Sequence, residues 1–136
     1  MKEAYLELKD LTKSFGSDSD KVMAVDHINL QVKEGDLVTL LGPSGCGKTT
    51  TLRMIAGFHT PTCGDVYIDG VSMNQIPPNK RPTAMVFQNY ALFPHMTVFE
   101  NIAYGLRIRK ESNEEVKRKV DDIMNLIGLE NLGDRQ

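Results

Sequence analysis

Long hydrophobic runs are missing from this chain of 136 residues, and no apolar stretch is long enough to span a bilayer. Its first residues, Met1-Lys2-Glu3-Ala4-Tyr5, do not read as a signal peptide. Cysteine is scarce: Cys46 and Cys63 make neither a disulfide framework nor a zinc site, and the expected setting is reducing and cytoplasmic. An excess of positive charge is also lacking. Lys and Arg number 16 against 18 Asp and Glu, so nothing points to a nucleic-acid partner held through its phosphates. The three histidines, His27, His59 and His95, stand apart without metal-ligand spacing. There is no internal repeat and no low-complexity tract. What remains, 40% hydrophobic and 25% charged, suffices for one small domain.

One stretch carries the chemistry. Gly42-Pro43-Ser44-Gly45-Cys46-Gly47-Lys48-Thr49 fits G-x-x-x-x-G-K-[ST], a phosphate-binding loop. Before it, Asp36-Leu37-Val38-Thr39-Leu40-Leu41 is an apolar run expected to form a buried strand. After it, Thr50 to Ala56 is expected to be helical, with Leu52, Ile55 and Ala56 on one face and Gly57 at the C-cap. Gly42, Gly45 and Gly47 let backbone N–H groups approach phosphate oxygens. The helix opening near Lys48 aims unpaired N–H groups and its positive dipole end at the same anion. Lys48 brings a point charge for the outer phosphates, and Thr49 a hydroxyl ligand for Mg²⁺. Cys46 lies in the loop, in a setting that favours a reactive thiol. A catalytic thiol needs a positioned base, and none is evident.

In chain order, residues 4–9 alternate as a half-exposed strand, with Tyr5, Glu7 and Lys9 opposite Leu6 and Leu8. Gly16 to Asp20 is a polar turn. Val22, Ala24, Ile28, Leu30 and Val32 give a second strand, interrupted near Asp26-His27. This antiparallel opening is expected to feed a parallel sheet. Asp65 to Ile68 is a strand, Asp69-Gly70 a hairpin turn, and Val71-Ser72-Met73 the return. Residues 76–82 are expected to be a non-helical loop, and Thr83 to Phe87 another buried strand. Thr97-Val98-Phe99-Glu100 and Ser112-Asn113-Glu114-Glu115 read as capping boxes. The second opens a helix whose buried face is expected to be Val116, Val120, Ile123 and Ile127, ending at Gly128. The charges of that helix, with Glu114 to Arg118 and Glu115 to Lys119 as i,i+4 pairs, read as solvated surface.

Three features admit two readings on residues alone. Phe15 can stack on a nucleotide base or be a core aromatic. Gln88, at the carboxyl end of an expected strand, can reach a metal or a water or be a surface glutamine. Asn89 to Met96 is apolar without a period, either core or a patch for a partner.

Taken together, Phe15, residues 42–49, Gln88 and the run Val86-Phe87-Gln88-Asn89-Tyr90-Ala91-Leu92-Phe93-Pro94-His95-Met96-Thr97-Val98-Phe99-Glu100-Asn101-Ile102 resemble the nucleotide-binding subunits of ABC importers. Gly105-Leu106-Arg107 leans towards the spermidine/putrescine group. The resemblance implies an α/β fold: a P-loop NTPase core with an N-terminal antiparallel β subdomain and the start of a helical subdomain. It divides the chain into residues 1–35, 36–90 and 91–136. It also implies ATP and Mg²⁺ as ligands. Gly42, Pro43, Ser44, Gly45, Cys46, Gly47, Lys48, Thr49 and Thr50 would hold phosphate, Phe15 adenine, and Thr49 and Gln88 the metal. Lys48 and Gln88 would be the catalytic contributors. Tyr90 to Met96 would meet a transmembrane permease subunit at the inner membrane face, and a second ATPase subunit would complete the site. The family's signature motif, Walker B aspartate, catalytic glutamate and switch histidine have no counterpart in these residues. The expectation is therefore an N-terminal part that binds ATP without hydrolysing it, with a sheet edge or core left exposed. A different P-loop enzyme, such as a small kinase, would need an acceptor site and lid arginines, and no candidate stands out.

Overall fold

The computed structural model describes residues 4–17 and 19–136. Asp18 of the expected polar turn and the first three residues of the N-terminus lie outside the described residues. The chain forms two compact units, Met1–Met85 and Val86–Gln136.

The first unit is built on an antiparallel sheet of order β2-β1-β3-β4. Its strands are β1 (Leu6–Phe15), β2 (Val22–Val32), β3 (Cys63–Ile68) and β4 (Val71–Ser72). The alternation read from the N-terminal residues holds up to Leu8, which is fully buried. Asp10 then takes a φ of 45° and the pairing with β2 shifts register between Leu8 and Leu11. That bulge carries β1 on as far as Phe15. It is why Leu11 and Thr12, neighbours in sequence, are both buried. The opposite strand breaks step where expected, with His27 at a φ of 44°. Asp69 and Gly70 both have positive φ, 51° and 76°, as a two-residue hairpin turn of this hand requires. The antiparallel sheet thus extends through residue 72, well beyond the first 35 residues.

Helix α1 (Lys48–Ala56) packs on this sheet. Its buried face is Thr51, Met54 and Ala56, with Ile55 half-buried, and not the expected Leu52, which is 47% exposed. Met54 joins Leu8, Leu11, Val25, Val66, Ile68 and Met73 in one core cluster. The loop of residues 76–82 contains one tight turn, a 3-10 helix at Pro78–Lys80, where a loop without helix was expected. Proline is tolerated at a first helical position because its missing N–H would be unpaired there anyway, and the turn closes with Arg81 N–H donating to the Pro78 carbonyl.

Two expected strands are not strands. Neither residues 36–41 nor residues 83–87 belong to a hydrogen-bonded ladder, and the expected parallel sheet is absent among the described residues. A buried strand is defined by its neighbours, which satisfy its N–H and C=O groups and cover both faces. Here Leu37 is 97%, Leu41 88% and Val86 86% exposed. The apolar residues that suggested burial are present, but only some of them, Leu40, Met85 and Phe87, are half-buried.

The second unit pairs α2 (Val98–Ile108) with α3 (Asn113–Leu126). Its core is Ala103, Val116, Val120 and Met124. Met124 thus takes the third place on the buried face of α3, whereas Ile123 and Ile127 are exposed. Positions i, i+4 and i+8 share a stripe as well as i, i+4 and i+7 do, and packing against α2 selects the former. The capping box at Thr97 is complete, each side chain bonding the other's backbone N–H. The one at Ser112 is half-formed: its hydroxyl accepts from Glu115 N–H, while the Glu115 carboxylate pairs with Arg118. Arg118 also bonds Asp122, so it reaches i+4 as well as back to i−3.

Candidate functional site

The loop of residues 42–49 ends at Gly47, the N-cap of α1, with a φ of 91°. A Cβ there would run into the Ala24 carbonyl oxygen of β2. Glycine is therefore needed twice, for the left-handed conformation and for the close approach of loop to strand. The Gly47 carbonyl accepts from both the backbone N–H and the hydroxyl of Thr51, at 2.8 and 3.0 Å, which anchors the first turn of the helix. The N–H groups of Lys48, Thr49 and Thr50 have no acceptor within their own helix. They open towards a cleft of about 250 Å³ lined by Ser44 to Thr50 and by Ala24. Lys48 folds back over the loop: its ammonium donates to the Gly42 and Pro43 carbonyls at 2.6 and 2.7 Å and lies 3.3 Å from Cys46 Sγ. Cys46 is exposed and lines the same cleft. Such a cradle concentrates N–H donors, a helix dipole and one cation on a single concave surface, which suits an anion with several oxygens.

Phe15 closes β1 opposite Val22, two residues along β2 from Ala24. The residue is 41% exposed, and its ring meets His59 in an edge-to-face arrangement, centroids 5.4 Å apart and planes at 76°. The Lys13 ammonium stands 5.1 Å from its centroid. The ring is neither core nor fully free, so the sheet brings an open aromatic to the unit that carries the loop. Among the described residues no three His, Cys, Asp or Glu side chains gather to hold a metal. A divalent ion here would rely on Thr49, which is exposed at the cleft, and on oxygens of a ligand.

Gln88 lies in the second unit. It is exposed, in a turn where Tyr90 N–H bonds the Phe87 carbonyl, and not at the end of a paired strand. Residues 90–96 are loop. Tyr90 and Leu92 are exposed, and Tyr90 and Ala91 both have positive φ. The loop is nevertheless held at its far end. The Asn101 side chain accepts from Phe93 N–H at 2.9 Å and donates to the carbonyls of Phe93, Met96 and Thr97 at 3.0–3.2 Å. The Phe93 ring packs against Tyr104, 4.6 Å between centroids and one helical turn from Asn101.

Three residues escape a reading of sequence alone. Asn101 is one, since an asparagine inside a helix gives no sign of bonding backwards to a loop. Arg81 is another. It is buried and caps α1 from outside, donating to the carbonyls of Met54 and Ile55 at 2.9 Å and of Ile76 at 2.8 Å. Burial lowers its pKa from the ordinary arginine range. His59, against Phe15, is the third. The only hint in sequence is that each lies next to a loop or cap.

The profile of the ABC transporter family matches residues 25–136. Among curated relatives, the chain is 46% identical to the Fe(3+) ions import ATP-binding protein FbpC of Vibrio cholerae, over 98% of this chain and 37% of that protein. It is 48% identical to the spermidine/putrescine import ATP-binding protein PotA of Legionella pneumophila strain Paris, over 96% and 35%. It is 52% identical to the alpha-glucoside transport ATP-binding protein AglK of Rhizobium meliloti, over 91% and 33%. The chain thus spans about a third of the length of these relatives. A solved dimeric structure of the ATP-binding cassette MJ0796 in a post-hydrolysis state, bound to ADP and Pi, superposes with a TM-score of 0.84 at 30% identity, over 96% of this chain and 61% of that one. With a phosphate-type loop on a P-loop NTPase fold and a family match over most of its length, the chain belongs to the ABC transporter family.

Proposed function

We propose that this chain is the nucleotide-binding part of an ATP-driven importer subunit. The observation that carries this reading is the loop pinned to β2 at Gly47, with the Lys48 ammonium and the free N–H groups of α1 on one cleft. The residues present fit a triphosphate. Lys48 holds two neutral carbonyls and would exchange them for β- and γ-phosphate oxygens, a stronger charge-assisted pairing. Thr50 and the loop N–H groups of Gly42, Ser44, Gly45, Cys46 and Gly47 would take the remaining oxygens, while Pro43, which has no N–H to give, fixes the backbone of the loop beside them. Thr49 would hold Mg²⁺ and Phe15 the adenine face, and in the assembled importer Gln88 would contribute a contact to the metal and the attacking water. Bound Mg²⁺ would neutralise charge on the phosphates.

Gln88, the residue assigned to the attacking water, is an amide and takes no proton from it. This stretch alone is therefore proposed to bind ATP without turning it over, and hydrolysis to belong to the assembled importer with its second ATPase subunit. Tyr90 to Met96 is proposed as the contact with a permease at the cytoplasmic face of the membrane, Tyr90 and Leu92 being exposed on a loop held at its far end. The relatives are named for iron, polyamine and alpha-glucoside import. A polyamine is the solute we favour, on Gly105-Leu106-Arg107.

The test is titration of a fluorescent ATP analogue with and without Mg²⁺, alongside phosphate release, for the chain and for Lys48→Ala. We expect the variant to bind at least about tenfold more weakly, since a hydrogen bond to a charged group contributes roughly 1.5–3 kcal/mol. Neither protein should release phosphate above buffer. Lys48-dependent turnover would overturn the binding-only assignment, and equal affinity of the two proteins would overturn the site.

A further inference from the structure

We propose that His59 is a positioning residue for the nucleotide base: it sets the Phe15 ring and ties that ring to the helix that carries the phosphate loop. The inference deepens the proposed function and rests on the assignment of Phe15 to adenine.

The connection that follows α1 is stitched to the last residues of β1. Thr62 N–H donates to the Thr12 carbonyl at 2.8 Å, and Ser14 N–H donates to Thr62 Oγ1 at 3.0 Å. The Lys13 ammonium donates to the Thr60 carbonyl at 2.7 Å. His59 opens this connection, two residues beyond Gly57 at the cap of α1, and its own N–H is held by the Arg53 carbonyl at 3.2 Å. Its imidazole is therefore fixed to α1 through the backbone and to Phe15 through the ring contact at 5.4 Å and 76°. Edge-to-face geometry is one of the two arrangements aromatic pairs prefer, and it restrains both rings. Lys13, two residues before Phe15 on the same strand, holds its ammonium near that ring and is itself anchored at Thr60. Phe15 is thus braced by two neighbours while 41% of the residue stays exposed. The same nine-residue helix carries the phosphate loop at one end and the brace at the other. Base platform and phosphate cradle are in this way set by one rigid element, and an aromatic fixed in advance loses less freedom when a base stacks on it. The imidazole suits this role. Burial first, then the charges of Arg53 and Lys13, lower its pKa and so favour the neutral ring.

The experiment measures the affinity of the chain for ATP and for inorganic tripolyphosphate, in wild type, Phe15→Ala, His59→Ala, His59→Tyr and the double Phe15→Ala/His59→Ala variant. His59→Ala should weaken ATP binding about threefold to tenfold, the range expected of one aromatic pair, and leave tripolyphosphate binding unchanged. His59→Tyr, which keeps a ring edge in place, should restore most of the loss. In the Phe15→Ala background the His59 substitution should cost nothing further. Unchanged ATP affinity in His59→Ala, with a loss in Phe15→Ala, would overturn the brace and leave the base-stacking assignment standing. No effect of Phe15→Ala would overturn both. An equal loss for tripolyphosphate in His59→Ala would place His59 in the integrity of α1 and overturn its role at the base.

Discussion

At the scale of single residues, the site depends on places where a side chain is forbidden or held neutral. Gly47 is the clearest. Its φ of 91° costs any L-residue about 1–2 kcal/mol, and the Ala24 carbonyl leaves no room for a Cβ. Gly47→Ala should therefore destabilise the fold to urea by at least that amount and weaken ATP binding with it. A change in affinity at unaltered stability would show that only the loop, and not its seat on β2, has moved. His59 carries a pH dependence whose sign follows from its surroundings. Its pKa lies below the ordinary 6.5 because of burial, Arg53 and Lys13. A lowered folded-state pKa means that the unfolded chain takes up the proton first. The contribution of neutral His59 is thus complete above about pH 6.5 and is lost as pH falls through the lower, folded-state value. Unfolding followed across that window should show a slope that His59→Asn flattens. The role of the loop was legible here because it depends on residue identity at fixed spacing, whereas the Phe15–His59 pairing was not, because 44 positions of chain separate two residues that only the sheet and α1 bring together.

At the scale of elements, helix ends decide more than helix propensities. The first turn of α2 has every N–H accounted for. Val98 and Phe99 donate to the carbonyls of Arg135 and Gly133, Glu100 to Thr97 Oγ1 and Asn101 to the Thr97 carbonyl. Only the Thr97 part could be read from local spacing. Thr97→Ala should cost about 1 kcal/mol, the usual value of an N-cap, measured as a shift in the denaturant midpoint. In the first unit, Arg81 bonds the last carbonyls of α1: it takes that of Ile55 and adds a second donor to that of Met54, which also accepts from Gly57 N–H at 3.2 Å. Gly57 makes room for it, since a Cβ there would stand 2.6 Å from Nε. Arg81→Met keeps the stem and removes the donors, so it should destabilise the first unit by about 1.5–3 kcal/mol while the α2–α3 pair is unaffected. Hydrogen exchange would read this directly, with faster exchange in residues 53–58 and none of it in 113–126.

At the scale of the whole molecule, two compact units divide the work: one holds the loop and the open aromatic, the other Gln88 and the loop of residues 90–96. The exposed apolar run is the main departure from an ordinary surface. Leu37 and Leu41 stand almost fully in solvent, and an apolar run left open in this way favours association. Because these side chains bury nothing here, a double Leu37→Ser/Leu41→Ser variant should keep its unfolding free energy within about 0.5 kcal/mol of the parent and bind less of an apolar dye. A large loss of stability would mean that the run is covered in solution.

Residue identity at short range determined the phosphate loop, the Gly57 cap, the Asp69-Gly70 hairpin and the Thr97 capping box, because each depends on a backbone conformation or a bond within a few positions. Apolar spacing narrowed the helix faces but did not choose among neighbouring stripes: Met54 displaced Leu52, and Met124 displaced Ile123. Tertiary structure alone decided those choices, along with the bulge at Asp10, the grip of Asn101 on residues 93–97, the reach of Arg81 to α1 and the seat of Gly47 on Ala24. Each of these depends on a partner outside the local stretch of chain. It also decided that residues 36–41 and 83–87 are not strands, since a strand needs a neighbour to pair with and a composition does not supply one.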